Sequence, residues 1–256
     1  MWAERIAPVT PRITRNKSLS GAAIVPRTSQ LAEDLAATSM ALARRLAAGA
    51  TMWCTSPEWP FHAEHVAVEF VHPVIVGKRA LPAAAVPGDR LTGDLRALAR
   101  SGDIFVAIAP ARCAATAAAM RRARAWGLET VWIGAGPRPP PGAADFVLFV
   151  DGDEVTAAYG GGLVLAYHVL WELTHVCLEH PGLLRPGPVE DTGDACATCS
   201  DEGRLGEVIS VHDTAAEVRT PAGVESVDLS LVDARPGDLV LIHAGSAVTV
   251  IEEPTS

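Results

Sequence analysis

The chain of 256 residues is 49% hydrophobic, 20% charged and 5% aromatic, a balance that excludes intrinsic disorder and leaves room for one large globular domain or two ordinary ones. Its formal charge of −9 is unevenly spread: from Pro186 onward fourteen Asp or Glu stand against three Arg and no Lys, so the preceding part is slightly positive. That asymmetry implies two bodies, and an acidic second body, which repels phosphate backbones, argues against a nucleic-acid partner.

Residues 1–28 carry Pro8, Pro11 and Pro26 among Arg5, Arg12, Arg15 and Lys17 without an apolar period, and read as a disordered basic tail. From Ser29 a helix is expected. Leu31, Leu35, Leu42 and Leu46 recur at helical intervals, Ser29 suits the cap, Glu33 and Asp34 the first turn, and Arg44 and Arg45 the last. A short strand over 51–55 and a loop with Pro57 and Pro60 lead into a second helix over 61–72. Further helices are expected over 91–100 and 116–126, and buried apolar strands over 104–108, 130–133 and 145–150. Apolar strands alternating with helices describe a parallel sheet covered on both faces. A long helix over 160–179 closes this body. It is interrupted by His168, Glu172 and His175, so the stretch is not a membrane span.

Pro186, Gly187 and Pro188 with Glu190, Asp191 and Asp194 form a linker over 186–198. Beyond it the period becomes two: Val227, Leu229 and Leu231 alternate with Ser226, Asp228 and Ser230. Turns at 221–223 and 236–238 delimit four or five short strands ending near Ile251. Closing short strands into a barrel removes their exposed edges. The expected class is therefore α/β: a doubly wound parallel sheet over 29–185, then a small OB-like β-barrel over 199–256.

Five cysteines do not pair into a secreted disulfide framework, and residues 1–5 lack the apolar core of a signal peptide, so a cytoplasmic protein is expected. Cys54, Cys113 and Cys177 stand in apolar surroundings and are expected in the core, whereas Cys196 and Cys199 form an isolated C-x-x-C. A second pair, which a zinc site would want, is missing, and so is the βαβ setting of a redox motif. A soft thiolate pair suits iron.

Six of the eight histidines lie on or at the ends of two expected helices. His65, Glu69 and His72 are spaced i, i+4, i+7 on one face, and His168, Glu172 and His175 repeat that spacing. Imidazoles and carboxylates from neighbouring helices make a good shell for zinc or another divalent ion. Helical histidines also often serve only to hydrogen-bond a nearby carboxylate. His62 and His180 are taken as surface residues.

The segments His62 to Phe70, Ala97 to Ile108, Arg124 to Val131 and Ala144 to Leu148 resemble a sugar isomerase (SIS) domain, most closely the sedoheptulose 7-phosphate isomerases. The resemblance spans about residues 31–184. It implies a zinc-assisted isomerisation in which Glu69 and His168 shuttle protons through an enediol while His65, Glu69 and His168 hold the metal, in a homodimer or tetramer. The sequence departs from that family at its phosphate loops. Ser56, Pro57, Glu58, Trp59 and Pro60 replace a Gly/Asn/Ser-rich turn, and Ala109 to Ala114 replace a Ser/Thr-rich one, leaving Ser56 and Arg112 as weak phosphate contacts. A glutamine of the family falls near Gly160.

Gly206 to Ile209, Ala216 to Val218, Val227 to Val232 and above all Pro236 to Val248 resemble the HypC/HupF hydrogenase-maturation chaperones. That resemblance implies a cysteine holding an iron fragment, here Cys199 first and Cys196 second with His243 as helper. It also implies contacts with a HypD-like scaffold and the large subunit of nickel-iron hydrogenase. The expected function is an accessory protein for hydrogenase maturation. The alternatives are a phosphosugar isomerase and a regulator that binds a phosphosugar without turnover.

Overall fold

The computed structural model describes residues 27–184 and 203–251; most of the expected tail, the linker, Cys196, Cys199 and residues 252–256 lie outside the described residues. The first body is a five-stranded, all-parallel sheet of β1 (Met52–Thr55), β2 (Ala83–Ala85), β3 (Ile104–Ile108), β4 (Glu129–Ala135) and β5 (Phe146–Val150), in the order β2-β1-β3-β4-β5. In this doubly wound order the winding reverses beside β1, and ligand sites lie outside the carboxyl ends of β1 and β3.

The uninterrupted apolar strands follow from two covered faces. Ile104, Val106 and Ile108 enter one core with Val131 and Ile133, under α1 (Arg27–Ala47), α2 (Pro60–Val71) and α6 (Gly162–Glu179). Phe105, Ala107 and Trp132 enter the other core, under α3 (Leu91–Leu98) and α4 (Ala114–Ala125). Within the sheet, Gly134 of β4 leaves room for its strand neighbours: a Cβ there would stand 2.5 Å from the Phe149 ring and 2.6 Å from the Ala109 carbonyl.

Several elements differ from the sequence expectation. Helix α1 begins at Arg27, two residues before Ser29, and its first turn holds no acidic residue, so Glu33 and Asp34 lie further in. The closing helix is two: α5 (Glu154–Tyr159), capped by Asp153 through Thr156 N–H at 2.9 Å, and α6. Gly161 separates them with φ +90°, a left-handed backbone that favours glycine. Strand β2, three alanines long, has no periodic signal.

The second body is a closed barrel of β6 (Arg204–His212), β7 (Ala215–Thr220), β8 (Gly223–Asp228), β9 (Leu239–His243) and β10 (Ser246–Ile251). Four pairings are antiparallel. A short parallel contact of β10 with β8 at Ser246 and Asp228 closes the ring, giving an OB-like order. Val208, Val218, Val227, Val240 and Ile242 fill it. Leu231 does not continue the alternation: β8 ends at Asp228, and Leu231 lies 70% exposed beyond it.

The bodies meet at α4. Leu239 of the barrel is buried in the α3/α4 core, with Leu205 and Ile251 packed against it. Glu207 of β6 is 1% exposed, and its partners come from the other body: Trp126 Nε1–H donates to Oε2 at 2.8 Å, while Arg122 and Arg96 approach Oε1 at 3.4 and 3.5 Å. Arg122 also donates to the Gly237 carbonyl at 2.9 Å, and Ser101 Oγ–H to the Pro221 carbonyl at 3.0 Å. The barrel is thus bound through a buried carboxylate as well as by apolar packing.

Candidate functional site

Helix α2 starts directly after the β1 loop, with Pro60 at its first position, where a missing N–H costs nothing. Ala63, Val66, Ala67 and Phe70 face the core. Helix α6 packs beside it, tied by Trp171 Nε1–H donating to the Glu69 carbonyl at 2.9 Å.

This crossing gathers three side chains. His65 Nε2 lies 3.3 Å from Glu69 Oε1 and 3.3 Å from His168 Nε2, and His168 Nε2 lies 3.7 Å from Glu69 Oε1. Among the described residues this is the cluster whose donor atoms converge as metal ligands do. For zinc at 2.0–2.1 Å from each ligand, tetrahedral geometry demands donor separations of roughly 3.3–3.5 Å. The observed triangle matches closely, and a three-ligand set leaves a fourth position for water or a substrate oxygen. A divalent ion fits this donor set. Glu69 is the most covered of the three, at 19% side-chain exposure, against 36% for His65 and 44% for His168.

Behind the triangle runs a hydrogen-bonded file. Tyr167 Oη lies 2.8 Å from His65 Nδ1 and 3.2 Å from His62 Nδ1, and His62 Nε2 lies 3.1 Å from the Ala158 carbonyl. His62 is not the surface residue the sequence suggested. It is fully buried beneath Phe61 and Tyr167. Burial lowers its imidazole below the ordinary value, only partly offset by the Ala158 carbonyl. Burial, helped by the Glu69 charge, pushes the Tyr167 phenol up to about 12. Sequence reasoning missed both residues, although Tyr167 is at helical spacing from Leu163 and Leu170 and carries a polar tip into a buried face.

The other half of each stripe does not join. His175 is buried, with Nδ1 2.9 Å from the Trp171 carbonyl and Nε2 3.1 Å from that of Arg79. Glu172 pairs with Lys78 at 3.6 Å, and His72 forms the C-cap of α2. The chain that follows α2 covers this part of α6, so the same helical face meets main chain there instead of histidine.

The phosphate candidates at the β1/β3 carboxyl ends are already engaged. Ser56 is buried and donates its hydroxyl to the Ile108 carbonyl at 2.7 Å. Arg112 is held by Glu154 and, at 3.2 Å, by Glu58. Pro57 and Pro110 supply no N–H. A nearby cavity of about 540 Å³ is lined largely by apolar residues, among them Pro57, Pro60, Val86 and Pro87, and its two charged residues, Glu64 and Asp89, are acidic. The loop donors that receive a phosphate are thus replaced by carboxylates and prolines.

Cys54 and Cys177 are buried as expected, and burial raises both thiols. Cys113 is only half-buried, at the N-cap of α4, where it accepts from Thr116 Oγ at 3.3 Å. His243 ends β9 exposed, and His180 is exposed at the C-cap of α6. No helix among the described residues is long and apolar enough to cross a membrane.

Comparison with known proteins places each body. Residues 186–255, which contain the barrel and both cysteines of the C-x-x-C, match the model of the HupF/HypC family. The parallel-sheet body has the SIS-type fold. A phosphoheptose isomerase from Francisella tularensis aligns over 58% of this chain and 91% of its own, with a TM-score of 0.50 at 14% identity. A phosphoheptose isomerase from Neisseria gonorrhoeae aligns over 59% and 88%, with a TM-score of 0.48 at 18% identity. No curated protein matches the chain by sequence. The chain therefore joins a body with the SIS-type fold to a segment, residues 186–255, that matches the HupF/HypC family model.

Proposed function

We propose that this protein is an accessory factor of nickel-iron hydrogenase maturation. In this reading Cys199, with Cys196, transiently carries an iron fragment, and the barrel meets a HypD-like scaffold and then the hydrogenase large subunit. The observation that carries the reading is the HupF/HypC match over 186–255, which takes in the C-x-x-C and the barrel together. Thiolates suit a soft iron centre, and the iron fragment is cargo rather than a resident cofactor. The barrel is anchored by Glu207 and Leu239 to α4, so the SIS-type body travels with it as a fixed second surface. Anaerobic affinity purification tests the proposal. Wild-type protein is expected to retain a maturation scaffold or hydrogenase large subunit, and the Cys196→Ala/Cys199→Ala variant to lose both the partner and the iron. Recovery of neither protein with the wild type sinks it.

A second reading concerns the SIS-type body, and the His65–Glu69–His168 triangle favours it: a divalent cation, zinc by its donor set, held at this site. When bound, such an ion polarises a carbonyl oxygen. Glu69, which keeps a second carboxylate oxygen when one holds the ion, is the group that would move a proton on a bound sugar, the work of a sugar isomerase. The carboxylates around Arg112 disfavour a phosphorylated substrate, so heptose and hexose phosphates are expected to give no product with the wild-type protein. Turnover by the wild type that disappears in Glu69→Gln would overturn that expectation and establish the enzyme.

A further inference from the structure

We propose that His62 and Tyr167 are positioning residues that fix the tautomer of His65, turning its Nε2 lone pair toward Glu69 and His168 so that the cluster is completed by a cation. The proposal deepens the reading of this cluster as a divalent-cation site and rests on that reading for its second half only.

The argument starts at the buried end. The Ala158 carbonyl can only accept, so His62 Nε2, 3.1 Å away, carries the hydrogen. A neutral imidazole has one N–H, which leaves His62 Nδ1 as an acceptor. Its partner at 3.2 Å is Tyr167 Oη, whose single proton is thereby spent on His62. The same phenolic oxygen lies 2.8 Å from His65 Nδ1 and meets it as an acceptor, so His65 Nδ1 carries a hydrogen. Each bond in the file follows from the one before it, and each member is satisfied.

The consequence falls at the exposed end. With Nδ1 protonated, neutral His65 presents a lone pair at Nε2, and this faces the Glu69 carboxylate at 3.3 Å and His168 Nε2 at 3.3 Å. Two electron-rich atoms, an imidazole nitrogen and an ionised carboxylate, then stand in contact with no hydrogen of their own between them. A hydrogen on His168 Nε2, 3.3 Å away, satisfies the His65 nitrogen alone, whereas a metal ion satisfies all three donors at once. The hydrogen on His65 Nδ1 is held by Tyr167 Oη and stays in place when Nε2 takes an ion. The main-chain carbonyl at Ala158, in α5, thus sets the donor character of a site on α2 and α6. An outer hydrogen bond that orients a metal-binding histidine in this way typically contributes 10–100-fold in metal affinity.

Imidazole nitrogen NMR on the full-length, metal-free protein at mildly alkaline pH tests the first half. His65 is expected as the Nδ1–H tautomer in the wild type, and Tyr167→Phe is expected to release it to the Nε2–H form. Titration with zinc alone tests the second half. Tyr167→Phe and His62→Leu are expected to weaken zinc binding about 10–100-fold, with all three ligands present. His62→Gln, whose amide N–H and carbonyl oxygen replace the two ring contacts, is expected to stay within a few-fold of wild type. This separates the hydrogen-bond pattern from mere packing, and Tyr167→Phe, which keeps the buried ring, guards against loss of fold. An unchanged His65 tautomer in Tyr167→Phe overturns the relay. A relay intact by NMR in a protein that binds no zinc overturns the cation site and leaves the relay standing.

Discussion

Glu207→Ala is expected to be among the most destabilising single substitutions in the chain, costing about 3–5 kcal/mol in urea unfolding. The carboxylate is 1% exposed and belongs to the barrel, whereas Trp126, Arg122 and Arg96 belong to the SIS-type body. Removing it strands the Trp126 N–H, a buried donor, and takes the Glu207 carboxylate away from the largely covered Arg122 cation, which keeps the Gly237 carbonyl. Arg96, 43% exposed, falls back to water and adds little. Glu207→Gln can still accept from Trp126 and is expected to cost clearly less. The alanine variant is also expected to divide one cooperative transition into two, as the barrel loses its hold on α4. A single unshifted transition would show that the apolar contacts of Leu239, Leu205 and Ile251 suffice alone.

The second large effect is on metal binding. His168→Ala and Glu69→Gln are each expected to lower zinc affinity by more than about 100-fold, beyond the range of an outer-sphere change. His168→Ala reduces the three-donor triangle to two donors, and Glu69→Gln replaces the only negative charge among the three ligands with a neutral, weaker oxygen donor. His175→Ala is the informative control. Its imidazole faces the Trp171 and Arg79 carbonyls, so it is expected to cost stability and leave zinc affinity unchanged. Equilibrium dialysis with metal analysis measures all of these. Zinc content near zero in the wild type and unaltered in the variants would leave the cluster a hydrogen-bonded pair of helices.

The contrast between His168 and His175 shows what a stripe can and cannot convey. Both stand on one face of α6 at the spacing read from the sequence. Their fates differ because α2 presents His65 and Glu69 to the first, whereas the chain after α2 covers the second. His62 was misread for a related reason. An isolated polar residue beside Phe61 carries no local sign that Tyr167, 105 positions later, and Ala158 will satisfy it in the core. Arg112 likewise reads as a free cation until Glu58 and Glu154 are folded beside it. The merging of α5 and α6 had a local remedy in Gly160, Gly161 and Gly162, where helix propensity is lowest.

By itself the sequence determined what rests on short-range pattern. The apolar strands of a doubly covered parallel sheet, the amphipathic helices, the change to a two-residue period after Pro186, the acidic second half and the C-x-x-C are all consequences of neighbouring residues. Tertiary structure alone decided which histidines meet, how Ala158 orients His65 through Tyr167, and how Glu207 fastens the barrel to α4. Those contacts join residues roughly eighty to a hundred positions apart, and their hydrogen-bond partners exist only once packing has excluded water from both sides.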